Sequence, residues 1–173
     1  SSDGSLFTFN INERNFLGKG QTLDFAISSS QIEKELSLGL EDPSFLGRNL
    51  LAGISLGQKT TTPALTPLKS ETVFFAPKVG FPLSRDSALT ATYSYNEQKV
   101  ILTSASGLLS PLIEADTGDK KKSAIILDYR LDKTNSVVTP TAGFKFDITQ
   151  EINGIGGDVS YQKSGLDFKT YST

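Results

Sequence analysis

Charged side chains alternate along one segment of the sequence, and the spacing is repeated in the next segment. Asp128, Arg130 and Asp132 occupy every second position, and Lys145 and Asp147 follow further along the chain. This spacing places side chains on one face of a β-strand, so the five groups can meet across two paired strands. A carboxylate pair can act as general acid and base, but it needs a pocket that perturbs its ionisation. The sequence indicates no such pocket, and we predict a structural charge network on the water-exposed face of the sheet.

The composition removes the usual groups of enzyme and metal sites. The 173 residues include no histidine and no cysteine, so the commonest general base, metal ligand and thiolate nucleophile are missing. Carboxylates at Glu114, Asp116 and Asp119 could bind calcium, although their spacing does not match an EF-hand loop. The net charge of -2 gives no basic field that would attract nucleic acid. We therefore predict no enzyme activity, cofactor, metal site or nucleic-acid partner.

The elements that carry these charges are two-faced strands closed by turns. Pro140 and Gly143 bound a turn, because proline fixes one backbone angle and glycine tolerates the left-handed region. Phe144, Phe146 and Ile148 then alternate with polar residues, as in a strand with one apolar face. The same alternation predicts eight further strands, which carry Phe7, Phe9 and Ile11; Leu23, Phe25 and Ile27; Leu36, Leu38 and Leu40; Ile54 and Leu56; Val73 and Phe75; Leu89, Tyr93 and Tyr95; Ile125, Leu127 and Tyr129; and Leu166 and Phe168.

Turn signals join each strand to the next, which favours an all-β antiparallel meander of about nine strands. Compact turns are predicted at 17–20, 46–49 and 84–87, and long connections at 59–69 and 99–122, which would lie at the opposite end of the sheet.

Two local irregularities are also predicted. Pro77 indicates an edge or bulge position in the fifth strand, because proline cannot donate to a ladder. The ninth strand is expected to begin at Asp158 and to contain a bulge near Gly165, where its alternation changes parity.

The pattern fits two classes of protein, which differ in whether the apolar face points into the protein or out to lipid. A soluble lipocalin-like ligand-binding barrel or sandwich would turn this face inward, and an outer-membrane barrel would turn it outward. Outer-membrane barrels have short turns at one end and longer loops at the other, and Phe16, Phe45 and Phe81 precede short turns, where an aromatic girdle would lie. The polar face is rich in Thr, Ser, Asn and Gly, as a water-filled interior requires. This favours the membrane barrel; the lipocalin-like barrel is the alternative, and a small outer-membrane adhesin or porin is a third reading.

Five segments carry a family resemblance through their order and spacing. They are 13–21 with Phe16, Leu17 and Gly18; 41–49 with Phe45, Leu46 and Gly47; 79–84 with Phe81 and Pro82; 140–144 with Pro140 and Gly143; and 154–158. Together they resemble the barrel of the BamA-like outer-membrane assembly factors, the bacterial surface antigen family. The resemblance covers nearly the whole chain. It implies a bacterial outer-membrane location and a parent protein that inserts and folds other outer-membrane β-barrel proteins without covalent chemistry.

The resemblance also implies that the chain is part of a larger molecule. Family members carry periplasmic repeat domains before a sixteen-stranded barrel, whereas this chain resembles the stretch from the turn after the first barrel strand to about the tenth. The chain starts at Ser1 and lacks methionine, so we expect a processed or excised piece in which residues 1–173 form one partial barrel domain.

Such a piece would have open strand edges near 6–12 and 158–171. The implied partners are membrane lipid, further barrel strands or a second copy at these edges, and substrate outer-membrane proteins for the parent.

Overall fold

The strands form one continuous sheet in this computed structural model, which describes residues 5–63, 68–103 and 117–172. All nine strands lie in sequence order, each hydrogen-bonded to the next, and every pair is antiparallel. The strands are β1 (Phe7–Phe16), β2 (Gln21–Ser29), β3 (Glu33–Asp42), β4 (Leu51–Thr61), β5 (Leu68–Pro82), β6 (Ser87–Leu102), β7 (Gly118–Asp132), β8 (Gly143–Asn153) and β9 (Tyr161–Tyr171). The predicted antiparallel meander is confirmed.

The register of the strands collects apolar side chains on one face. Directly paired residues point to the same side of a sheet, so a row of partners identifies a face. One such row crosses β1 to β6 and consists of Ile11, Phe25, Leu38, Leu56, Phe75 and Tyr95. We call this side the apolar face. The next row along the strands belongs to the polar face and contains Asn10, Ala26, Ser37, Gly57, Phe74 and Asn96.

The apolar face is not covered by any other part of the described chain. Leu38 and Leu56 are each 40% exposed, and Tyr93 is 36% exposed. Among the described residues, Ala124 is the only apolar side chain classed as buried. A lipocalin-like barrel would bury Phe25, Leu38 and Tyr93 around a ligand, and the open face of this sheet does not do so. The described residues also include no helix of the length and apolar character that a membrane crossing requires.

Pro77 lies neither in an edge strand nor at a bulge, so that prediction is wrong: the register of β5 with β6 is the same on both sides of it. It is part of β5, an interior strand, where it pairs regularly with Ile54 of β4. The pairing of β5 with β6 skips from Phe75 to Lys78. Because proline has no N–H to donate, the interruption falls on the β6 side of the strand.

The predicted start and bulge of the ninth strand are both wrong. β9 begins at Tyr161, and its register with β8 is continuous through Gly165, which pairs with Thr149. Asp158 and Val159 belong to the preceding connection, so the parity of Val159 says nothing about the strand. The sheet instead has an irregularity in β1, between Glu13 and Phe16.

The connections alternate between two ends of the sheet. The end that contains the three predicted compact turns, which we call the short-turn end, comprises the connections at 17–20, 43–50, 83–86 and 133–142; the opposite end comprises those at 30–32, 62–67, 103–117 and 154–160. The predicted difference in length is incomplete, because 133–142 is longer than 30–32.

Both long connections are shorter than predicted, because β4 to β7 extend into the ranges 59–69 and 99–122. Their strand pairing continues where the apolar alternation stops. Residues 64–67 and 104–116 lie outside the described residues, and with them Glu114 and Asp116 of the suggested calcium site.

Candidate functional site: the two faces and the turns of the sheet

The polar face carries ion pairs between β7 and β8. Arg130 Nε donates to Asp147 Oδ1 at 2.8 Å, and Lys145 Nζ lies 3.0 Å from Asp132 Oδ2. The register explains both contacts, because it places Arg130 opposite Asp147 and Asp132 opposite Lys145. Four of the five side chains singled out in the sequence are thus brought together in oppositely charged pairs.

The fifth side chain, Asp128, has a different partner. Its Oδ1 accepts a hydrogen bond from Thr149 Oγ1 at 2.6 Å. The side chain of Arg130 is 75% exposed, and ion pairs of such exposed groups contribute little to stability. The arrangement neutralises charge and contains no closely opposed carboxylate pair of the kind that acid–base catalysis uses. Within the described residues, no group of acidic side chains has the arrangement of a metal site.

Two glycines of β4 let side chains of β5 lie across the polar face. Lys78 reaches over Gly53 to form an ion pair with Glu41 on β3, and a Cβ at Gly53 would lie 2.7 Å from Lys78 Cε. A Cβ at Gly57 would lie 2.6 Å from Cζ of the Phe74 ring and 2.5 Å from a backbone oxygen of β3. Sequence reasoning placed both glycines on the polar side but did not detect these contacts. They depend on cross-strand register, which a single strand's pattern does not contain.

The connection at 154–158 folds back onto β7. Pairing between β7 and β8 ends at Ala124, and beyond it the amide of Gly154 donates to the carbonyl of Ser123 at 3.0 Å. The amide of Asp158 donates to the Lys121 carbonyl at 2.8 Å, and the Lys121 amide donates to Asp158 Oδ2 at 2.9 Å. The connection therefore satisfies backbone groups that the end of β8 leaves unpaired.

Two turns at the short-turn end share one backbone conformation. Leu17 and Gly18 both have positive φ, of 56° and 71°, and Leu46 and Gly47 repeat these values at 56° and 68°. In each turn the residue after the glycine donates its amide to the phenylalanine carbonyl, at 3.2 Å to Phe16 and 3.1 Å to Phe45. Two positive φ values with this bond define a type I′ turn, which closes tight hairpins.

The other two predicted turn motifs also lie at the short-turn end. Pro82 ends β5, and the turn is closed by the Leu83 amide, which donates to the Ser87 carbonyl at 2.9 Å. Pro140 lies in the last connection, and Gly143 starts β8 with φ of 102°. A Cβ at Gly143 would lie 2.1 Å from the Lys133 carbonyl oxygen, so only glycine fits there without backbone movement.

Apolar side chains on the exposed face contact one another across the strands. The rings of Phe9 and Phe25 meet edge to face with centroids 6.3 Å apart, and Phe144 and Phe168 are 6.0 Å apart. Of the predicted girdle, Phe81 lies opposite Leu89 on this face. The irregularity in β1 places Phe16 opposite Gln21, and thereby on the apolar side as well. Phe45 lies in its turn and is exposed.

An antiparallel meander with one apolar face, one polar face and two type I′ turns at one end has the features of the wall of a transmembrane β-barrel. Comparison with known proteins gives the family. The model of the Omp85 superfamily domain matches residues 15–173, so the chain belongs to the Omp85 superfamily.

Solved structures extend this finding to the fold. The chain is similar to BamA from Haemophilus ducreyi lacking POTRA domains 1–3, with a TM-score of 0.66 and 18% sequence identity. The match covers 97% of this chain and 35% of the other, so the chain spans about a third of that structure's length. A comparison with curated protein sequences gives no match. The chain is part of a bacterial outer-membrane barrel and has a BamA-like fold.

Proposed function

We propose that the protein to which this chain belongs inserts and folds other outer-membrane β-barrel proteins, and that this chain supplies part of its barrel wall. The observation that carries the proposal is the match of the Omp85 superfamily model to residues 15–173. An intact lipid-facing surface and a polar interior fit this role, because such a protein must reside in the membrane. The role needs no covalent chemistry, and the proposal includes no catalytic residue.

The domain arrangement is part of the same proposal. Residues 1–173 form one partial barrel domain, and further barrel strands pair with β1 and β9. The two strands form the two outer edges of the sheet, and within the described residues they do not pair with each other. Their open backbone groups need a hydrogen-bonding partner. The exposed side chains of Phe7 and Leu166 are in keeping with such unfinished edges.

The function is tested by a folding assay. The full-length protein is reconstituted in vesicles, and a denatured outer-membrane barrel protein is added as substrate. We expect folding of the substrate, followed by its shift on unheated gels, to be faster than in empty vesicles. Vesicles with an equal amount of a porin serve as the matched control for membrane disturbance. Equal rates with the two proteins, when both are correctly folded, would contradict the proposed function.

A further inference from the structure

Three successive turns at the short-turn end present the same set of side chains. Each has an aromatic residue, then a leucine, then a basic residue two positions after the leucine. The three sets are Phe16, Leu17 and Lys19; Phe45, Leu46 and Arg48; and Phe81, Leu83 and Arg85. We call them the rim triplets. Because every second connection lies at this end, the three sets lie side by side along the short-turn end of the sheet.

The leucines of the rim triplets project into the surroundings of the protein. Leu17 is 72% exposed, Leu46 is 78% exposed and Leu83 is 58% exposed. In a type I′ turn the first central position favours Asn, Asp or Gly, because other side chains clash with the backbone at positive φ. Leu17 and Leu46 occupy this position at φ of 56°. A strained leucine that is mostly exposed gains little from packing within the sheet, which points to an external contact.

The acidic and basic side chains at the rim differ in whether they have partners within the protein. The acidic groups are engaged within the protein: Glu13 accepts from the Asn15 amide at 2.9 Å, Asp42 accepts from the Ser44 amide and from Gln21 Nε2, each at 2.9 Å, and Asp86 pairs with Lys133. Arg48 and Arg85 have no ion pair in the described part of the chain. Lys19 interacts electrostatically with Asp42, so Arg48 and Arg85 are the unpaired cations that the described rim presents beside apolar side chains.

We propose that the short-turn end is seated in the headgroup layer of the membrane, where Leu17, Leu46 and Leu83 insert and Lys19, Arg48 and Arg85 bind the phosphates of anionic phospholipids. Adjacent apolar and basic side chains are the combination that binds such a surface. The rim is also continuous with the lipid-facing side of the sheet, because Phe16 and Phe81 lie on the apolar face directly beneath the turns. This continuity favours lipid over a protein partner. The proposal uses the membrane location of the chain and is independent of the proposed folding activity.

The test measures the depth of the rim in the full-length protein. A cysteine at the exposed Asn49, in a version without other cysteines, carries a fluorescent label, and the vesicles contain a lipid with a headgroup quencher. Vesicles of phosphatidylethanolamine with phosphatidylglycerol are compared with vesicles of phosphatidylcholine. One variant combines K19Q, R48Q and R85Q. Its matched control, K34Q, K99Q and K163Q, makes the same charge change at the opposite end of the sheet.

We expect strong quenching in the vesicles with phosphatidylglycerol, reduced by about half in the rim variant and unchanged in the control. Added salt should weaken the quenching of the unaltered protein and have little effect on the rim variant. Leu17→Asn with Leu46→Asn should reduce quenching in both kinds of vesicle, although asparagine suits the turn better than leucine. Gel shifts of unheated samples establish that each variant is folded.

Two results would overturn the proposal. One is a label that is not quenched in either vesicle, because the rim would then stand in water. The other is equal quenching of the unaltered protein and both triple variants, because the basic side chains would then not contact lipid. A label that becomes shielded only when a soluble protein is added would also count against lipid as the occupant.

Discussion

At the scale of single residues, the polar face depends on positions that have no side chain. Gly53 and Gly57 allow Lys78 and Phe74 to cross β4, which links three strands through side chains as well as through backbone hydrogen bonds. A large ring that covers a glycine also shields the backbone of that strand from water. The importance of the close approach of Phe74 to Gly57 can be measured by adding a methyl group at the glycine.

Gly57→Ala should destabilise the barrel by about 1–3 kcal/mol, because the added methyl group meets both the Phe74 ring and the backbone of β3. The measurement is urea unfolding of the full-length protein in detergent. Gly39→Ala is the matched control, since a Cβ there meets nothing nearer than 3.5 Å. Equal losses in the two variants would show that the crossing ring is not the cause.

The strained leucines give a prediction of opposite sign. Leu17→Asn and Leu46→Asn should each stabilise the protein by about 1 kcal/mol in unfolding experiments in detergent, because asparagine tolerates positive φ better than leucine. Leu83→Asn is the control, since Leu83 does not have a positive φ. A loss of stability in the first two variants would mean that the leucines are held by contacts within the protein.

At the scale of elements, the connection at 154–158 takes over from β8 in covering the edge of β7. Gly157 allows this, because a Cβ at that position would lie 2.8 Å from the Lys121 carbonyl oxygen. Covering a strand edge with a connection is one way in which sheets limit unwanted pairing.

Gly157→Ala should lift the connection from β7 and speed hydrogen exchange at the Lys121 amide by about tenfold or more, because that amide loses Asp158 as its acceptor. Exchange is read by mass spectrometry on peptides of the folded protein. Asp158→Asn is the control, because it retains an acceptor oxygen and should leave exchange nearly unchanged. An unaltered rate in Gly157→Ala would mean that the connection does not protect this edge.

The sequence predicts features that depend on residues close together in the chain, such as strands and turns. It misses features that depend on how one strand pairs with another. Alternation along each strand was enough to find nine strands. Gly18 marked a turn after a strand, and Gly143 marked the start of the next one. The β1 irregularity escaped notice because the residues inside it, Arg14 and Asn15, are both polar and break no apolar pattern. The false bulge at Gly165 arose because two residues were taken for the apolar side of the strand: Val159 is a connection residue, and Tyr161 lies on the polar face, where its hydroxyl donates to Glu151.

In the candidate site, too, some features could be predicted from the sequence and others depend on neighbouring strands. Alternating charges on β7 and β8 were sufficient to predict a charge network across the two strands, because strands adjacent in sequence pair in a meander. The individual pairs, Arg130 with Asp147 and Asp132 with Lys145, follow from the register. That Asp128 would bind Thr149 instead depends on which residue lies opposite it. The exposed leucines at positive φ could not be found from sequence, since leucine is an uncommon residue in a type I′ turn.

At the scale of the whole molecule, the described residues form a sheet that is held by backbone pairing rather than by a packed core. Within the described ranges, the outer strands β1 and β9 each carry backbone groups without a strand partner on one side. The stability of the chain is therefore coupled to whatever pairs with these edges.

The isolated chain should self-associate in detergent, because edge pairing with a second copy satisfies these groups. Light scattering at several protein concentrations should give a mass above that of one chain, and the mass should rise with concentration. The full-length protein in the same detergent is the control and should remain monomeric. A monodisperse monomer of the isolated chain would contradict the proposed open edges.

The lengths of β5, β6 and β7 carry a further consequence. Their pairing continues beyond Val73 and Tyr95, where the side chains on the lipid-facing side become charged, as in the ion pair of Lys69 with Glu71. About six residues of tilted strand correspond to roughly 15 Å. We expect this part of the wall to extend beyond the bilayer surface, where antibodies should reach it on living cells.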